Sequence, residues 1–284
     1  MTPTVTVVIP CFNHGAFLAE CLDSLRAQHW TAWRAIVLDD ASTDGVTPEL
    51  CEIQADERVE IIHLPQNLGR ALVRNHGIAL ATTEAILNLD ADDTLHPAFL
   101  AKTVPLLLAD PQVGVVYTDY RIFGAWQGTR KAEPFDAARL YHEQFIGGAA
   151  LFRRSAWAKT PGYQEDFSIG NEDYDFWLSL VEAGYRGLYL PESLYNYRMH
   201  PQSWSATTSG GTNRVFRSRL ALLRHHRAGF EAHGAVTAFE LTTYRDEARR
   251  LAKAGQRDAA RAMWREVLTR DPGDWRARLG VFWP

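Results

Sequence analysis

The chain has 284 residues, 46% hydrophobic and 23% charged, with a formal net charge of −4. Those values suit a globular protein of one large domain plus an appendage, and the slight negative charge argues against a nucleic-acid partner. The odd set Cys11, Cys21 and Cys51 lacks metal spacing and reads as reduced thiols of a cytosolic protein, with no expected signal peptide before Val5 and no run near the roughly 18 apolar residues of a membrane span.

Val5–Ile9 is the first expected strand, stopped by Pro10 and the turn residues Asn13, His14 and Gly15. An amphipathic helix follows, with Phe17, Leu18, Cys21, Leu22 and Leu25 on one side. Ala35–Leu38 is the second strand, ending in Asp39-Asp40 and a Ser/Thr/Asp/Gly turn; Val59–Leu64 is the third, closed by Pro65. Gly69–Ala81 is a helix. Ala85–Leu89 is a short buried strand that runs into Asp90-Ala91-Asp92-Asp93, and a helix near residues 98–108 precedes a strand over Val113–Thr118. This alternation predicts an α/β unit with a largely parallel sheet, whose ligands sit beyond the carboxyl ends of the strands. The polar clusters at Pro10–Asn13, Asp39-Asp40 and Asp90–Asp93 all fall at such ends. No G-x-G-x-x-G follows the first strand, which argues against a dinucleotide-binding dehydrogenase.

The acidic cluster carries the most chemistry. In extended chain Asp90 and Asp92 point the same way, and unpaired they would repel. A hard divalent cation held by one or two carboxylates plus substrate phosphates answers that charge; an acidic turn before the helix near His96-Pro97 is the plainer alternative. Further on, residues 121–144 read as a loop with a short helix. Phe145–Phe152 reads as a strand whose Gly147 and Gly148 admit a ligand or backbone closely. Glu172–Ala183 is helical, Leu188–Leu190 is a short strand, and Tyr195–His200 leads into the polar stretch 202–212.

The tail changes character. Arg214–Arg227 is a basic helix, a helical region begins near Val236, and two helices meet at Gly255, with Met263, Trp264, Val267 and Leu268 on one stripe before Asp271-Pro272. The order of small residues, glycine and aromatic resembles one tetratricopeptide-type hairpin, or a plain helical cap. A single hairpin cannot bury its own face, so it is expected to dock on the first domain or on a partner.

The segments V-V-I-P-C-F-N, V-L-D-D-A-S-T-D, N-L-G-R-A-L-V-R-N, L-N-L-D-A-D-D, G-N-E-D-Y-D-F-W and Y-R-M-H-P-Q-S-W-S, in that order over residues 4–205, resemble family 2 glycosyltransferases. Phe12 and Ala41 stand where that family usually has tyrosine and glycine. The resemblance implies a GT-A fold, a Rossmann-like mixed α/β sheet with helices on both faces, over residues 1–210, with 211–284 as a helical extension. It implies an inverting transfer of a sugar from a nucleotide-diphosphate donor to a hydroxyl, in cell-surface or secreted glycan synthesis, at the cytoplasmic side with room for peripheral membrane contact.

The roles it implies map onto the strand ends. Pro10, Phe12, Asn13, Asp40, Gly69, Arg70, Arg74, Asp90 and Ala91 would bind the nucleotide. Asp40 would accept the uracil N3–H of a UDP-sugar, Asp39 would brace the turn, and Asp90 would face the ribose. Asp92 and His200 would hold Mn2+ or Mg2+, with Asp93 in support. Asp173 would be the base that deprotonates the acceptor hydroxyl, although Glu172-Asp173 also suits the first turn of a helix. Gly147, Gly148, Glu172 and Trp177 would face the acceptor, a glycan or lipid-linked glycan; Trp177 reads equally as core. A nucleotidyltransferase with a similar acidic metal site, needing no Asp173, and a degenerate transferase serving as an interaction scaffold are the rival readings.

Overall fold

The structure is a computed structural model that describes residues 2, 4–201, 203 and 213–282. Its centre is a sheet in the order β3-β2-β1-β4-β8-β6-β9-β5, with β7 paired to β6. β1 (Val5–Cys11), β2 (Trp33–Asp39), β3 (Val59–His63) and β4 (Ala85–Asn88) run parallel. Because side chains alternate along a strand, Val8, Ile36, Leu38 and Ile86 feed one face while Val7, Ile9, Val37 and Leu87 feed the other. Helices α1 (Gly15–Arg26) and α4 (Phe99–Ala109) cover the second face. The first is covered by α3 (Gly69–Leu80) and α7 (Glu172–Glu182). α3 lies close on the sheet: a Cβ at Gly77 would stand 2.4 Å from a Val8 methyl.

Beyond residue 120 the sheet departs from the expected pattern. β6 spans Val113–Gly124 and turns back as β7 (Gly128–Arg130), so strand continues where the sequence suggests a loop. The expected strand over 145–152 shrinks to β8 (Leu151–Arg153), antiparallel to β4. Residues 145–150 are irregular instead, and they carry Gly147 and Gly148 to the site. The two expected segments near 188 and 195 are one strand, β9 (Arg186–Met199). Its register jumps from Thr118↔Leu190 to Asp119↔Ser193, so Pro191, which lacks an N–H to donate, sits in the bulge. β5 (Thr94–Leu95) pairs with β9.

The tail forms α8 (Arg214–His225), α9 (Arg227–Ala232), α10 (Val236–Lys253), α11 (Arg257–Arg270) and α12 (Trp275–Phe282). Leu222, Leu223, Phe230 and Phe239 belong to the same core as Tyr141, Tyr174 and Trp177, so the first tail helices are part of the α/β body. Trp264 and Val267 pack instead with Ala248 and Ala277 in a small cluster among the last three helices. α10 ends in a Schellman-type turn: Gly255 has φ +74, and Gln256 donates to Leu251 O and Gly255 to Ala252 O. The polar stretch 202–212 and the 210/211 boundary lie outside the described residues, except Ser203. No helix among the described residues is long and apolar enough to cross a membrane.

Candidate active site

β2, β1 and β4 are neighbours, so their carboxyl ends open onto one crevice. Asn13 (φ +58) laces the first two ends together: its Oδ1 accepts from Thr43 N at 2.7 Å and Asp44 N at 3.2 Å, and its own N–H donates to Ser42 Oγ at 2.9 Å. Phe12 beside it is 42% exposed, and Pro10 is partly buried. Ala41 has φ +56, the left-handed region glycine occupies most easily, so the family's usual glycine there has a steric reason.

Asp39 and Asp40 divide their work. Asp39 accepts from Ser42 N at 3.0 Å and pairs with His63 Nδ1 at 2.8 Å, bracing the turn. The Asp40 carboxylate reaches across to α3, accepting from Leu68 N at 2.6 Å and Gly69 N at 2.9 Å. Gly69 needs its φ of +79 to present that amide. Each Asp40 oxygen keeps lone-pair capacity for a second donor.

Arg74, 6% exposed on α3, joins the third strand end to α7: Nη2 donates to Asp90 Oδ1 at 2.7 Å and Nη1 to Glu172 Oε1 at 2.6 Å. Arg70, one turn earlier, lies 3.0 Å from the same Glu172 oxygen. Burial works to raise both carboxyl pKa values, but the arginine charges outweigh it and hold Asp90 and Glu172 below their usual range. Glu172 is thereby committed to the arginines and nearly buried, and it lines the same cavity as Asp173. Trp177 is corrected from its expected place at the acceptor: 1% exposed and packed on Phe152 and Phe176, it is a core residue. Helical side chains one residue apart diverge by about 100°, which is why Glu172 and Asp173 face different partners.

Asp173 has no arginine of its own. Its Oδ2 accepts from Gln144 Nε2 at 2.8 Å and its Oδ1 from Tyr174 N at 2.8 Å. Burial first, and then the Glu172 charge, push its pKa up to about 6. A Cβ at Gly148 would stand 3.6 Å from Asp173 Oδ2, and one at Gly147 would stand 3.6 Å from the Tyr120 ring. Asn171 (φ +64), just ahead, donates to Ser218 Oγ of α8 at 2.6 Å. A cavity of about 370 Å³ joins these parts, lined by Arg70, Arg74, Asp90, Tyr120, Gly148 and Asp173 among others.

Further along from the same β4 end Ala91 is buried, and Asp92 and Asp93 part company. Asp93 is a strut: Tyr195 Oη donates to one oxygen and Arg198 N to the other at 2.8 Å. Burial, then the charges of Asp92 and Asp90, push its pKa well up. Asp92 Oδ2 meets His200 Nε2 at 2.9 Å, and ligand-capable atoms of Asp92, His200 and His14 lie within 4.8 Å of one another. His200 Nδ1 is buried with no partner among the described residues. A carboxylate and an imidazole so placed fit a divalent cation. Gln144, Tyr120, Asn171 and His14 are site residues the sequence reading did not single out. Only His14, three residues past the β1 end, carried a local signal.

Comparison with known proteins agrees with this architecture. The profile of glycosyl transferase family 2 matches residues 6–183. EpsE of Bacillus subtilis (strain 168), which carries a glycosyltransferase designation, is 32% identical over 204 residues, covering 69% of this chain and 73% of its own. The O-antigen biosynthesis protein RfbC of Myxococcus xanthus is 28% identical over 253 residues, covering 86% of this chain but 19% of its own. Among solved structures, the mannosyltransferase PcManGT of Pyrobaculum calidifontis, in complex with GDP-Man and Mn2+, superposes with a TM-score of 0.66 at 23% identity over 98% of this chain and 78% of its own. S. aureus TarS 1-349 with UDP-GlcNAc gives 0.61 at 15% identity over 99% and 88%. Both show the fold. The family match ends at residue 183, so the helices after it rest on their own packing here. The chain belongs to glycosyl transferase family 2, with a GT-A-like sheet and a C-terminal helical region.

Proposed function

We propose that the protein is an inverting, divalent-metal-dependent glycosyltransferase that moves a sugar from a nucleotide-diphosphate donor, a UDP-sugar, to a hydroxyl of a glycan or lipid-linked glycan in polysaccharide synthesis. The observation that carries this reading is a single cavity lined both by Asp90 with its arginines and by Asp173. Inversion needs a base and a donor site that share one cavity, since the acceptor attacks the anomeric carbon from the face opposite the leaving group.

The donor's base would lie over the β1 and β2 ends, against Phe12, with Asp40 accepting its N–H. Uracil presents N3–H to that carboxylate, whereas cytosine presents only an acceptor at the same position. Guanine offers N1–H, so GDP belongs beside UDP in any test of base choice. Asp90, fixed by Arg74, would face the ribose, and Arg70, 3.9 Å from Asp90 Oδ2, would meet the diphosphate. Asp92 and His200 would hold Mn2+ or Mg2+, and the chemistry that ion supplies is neutralisation of charge on the departing diphosphate. Asp173 takes the acceptor proton as the hydroxyl oxygen bonds to the anomeric carbon. The anomeric C–O bond breaks with its electron pair leaving on the nucleoside diphosphate. A pKa raised to about 6 keeps Asp173 ionised near neutrality and leaves it a better base than an ordinary carboxylate.

Calorimetry tests the donor side. UDP is expected to bind more tightly with Mn2+ than in chelator, and Asp92→Ala is expected to erase that difference. Equal UDP affinity in Mn2+ and in chelator for the unsubstituted protein would refute the metal role.

A further inference from the structure

We propose that His14 is a third protein ligand of the cation, completing a two-histidine, one-carboxylate set with Asp92 and His200 that selects Mn2+-like transition metals over Mg2+. This rests on the metal-dependent reading above. Two candidate ligand groups share Asp92: one adds Asp90 and Asp93, the other His14 and His200, each with its ligand atoms within 4.8 Å. An all-carboxylate group would suit a hard ion such as Mg2+. Its members are already committed, however. Asp93 is fully buried between its donors Tyr195 Oη and Arg198 N, and Asp90 Oδ1 is ion-paired with Arg74. Asp92 engages only His200 among the described residues through its carboxylate, leaving Oδ1 for a ligand.

The second group is built for a cation. Two neighbouring ligands at right angles on an ion with bonds of about 2.1 Å stand about 3.0 Å apart. His200 Nε2 and Asp92 Oδ2 are separated by 2.9 Å, the spacing of two neighbouring ligands on such an ion. His14 joins them from the other end of the chain. Its ring lies 5.5 Å from that of His200, and Phe17 of α1 packs on both, at 5.9 and 4.8 Å between centroids. The residue before it, Asn13, is tied by backbone and side chain to Ser42, Thr43 and Asp44, so the base-side loop positions the imidazole. Imidazoles favour transition metals, while Mg2+ prefers oxygen. The same ligand would therefore couple metal binding to the loop against which the base lies.

The test uses the full chain and Mn2+ as the probe, alone and with UDP. Paramagnetic resonance of free Mn2+ gives affinity, and electron spin-echo modulation counts coordinated imidazole nitrogens. Two such nitrogens are expected in the unsubstituted protein. His14→Ala is expected to leave one, to weaken Mn2+ by at least about tenfold, and to narrow the preference for Mn2+ over Mg2+. His14→Asn, which keeps a turn-forming residue, serves if the alanine variant misfolds. One imidazole in the unsubstituted protein, or unchanged Mn2+ affinity in both variants, overturns the proposal and leaves Asp92 and His200 as ligands. No Mn2+ bound with or without UDP overturns the metal reading itself.

Discussion

Two adjacent carboxyls on α7 behave oppositely because one has arginines and the other does not. Glu172 meets Arg70 and Arg74 and stays ionised, and its charge helps raise Asp173 to about pH 6. A base works only when deprotonated, so kcat/KM is expected to rise tenfold per unit below about pH 6 and to level off above it. Asp173→Asn should remove that limb and lower turnover by ~10²- to 10⁴-fold, with UDP affinity unchanged, because the base lies away from the nucleotide. Glu172→Gln should keep a pH limb. Near-normal turnover in Asp173→Asn would reverse the assignment.

Arg74 offers a stability readout at the same scale. Removing it leaves buried Glu172 and partly exposed Asp90 with Arg70 alone, and loss of a buried partner typically costs about 3–5 kcal/mol, less where solvent reaches the group. Arg74→Met, which keeps the stem volume, is expected to lower the unfolding free energy by up to about that much; a loss under ~1 kcal/mol would mean the network is relieved by water. The sequence put Arg74 among the residues expected at the nucleotide, and the structure ties it to Asp90 and Glu172. Glu172 was not legible as its partner, since the two are far apart in sequence and the motif names both without saying which meets which.

At the scale of elements, α7 is held from behind by the tail. His226 Nε2 meets Asp175 and its Nδ1 meets Glu182, each at 2.9 Å, while Phe230 packs on Tyr141 and Phe239 on Tyr174. Burial tends to lower the His226 pKa, but the hydrogen bonds to the two carboxylates prevail and push it up to about 9. A raised histidine pKa means stabilisation that is complete below about pH 6.5 and is lost as pH rises through about 9, with a ceiling of about 3 kcal/mol. Melting curves of the unsubstituted protein and His226→Gln should therefore differ most near pH 6.5 and converge above pH 9; a gap that widens with pH would contradict the clamp.

Docking of the tail followed from the rule that a lone hairpin cannot bury its face. Which helices dock did not, because Trp264 and Leu268 advertise the stronger stripe. That stripe is satisfied locally, between α10 and α12, and the α/β body is met by the less conspicuous Leu222, Phe230 and Phe239. The long β9 was hidden for a similar reason. Pro191 looks like a terminator until a bulge gives it a place without an N–H partner.

Across the whole molecule, the parallel half of the sheet was legible from its apolar runs, since each strand there is bounded by a turn signal and feeds both faces. The mixed half was obscured, because β6, β8 and β9 are joined by irregular segments whose value lies in where they carry Gly148 and His200. The rank order of motifs along the chain, not any one of them, pointed to the family, and the fold shows why three of them meet: the first, second and fourth end β1, β2 and β4, which are neighbours in the sheet.

The central claim is metal-dependent sugar transfer from a nucleoside diphosphate. The most direct measurement is product release from a panel of UDP-, GDP-, dTDP- and CDP-sugars, with Mn2+ and in chelator. Nucleoside diphosphate should appear with Mn2+ from the UDP-sugar, little should appear from the CDP-sugar, and chelator should stop it. Pyrophosphate in place of nucleoside diphosphate, or equal release in chelator, would contradict the account.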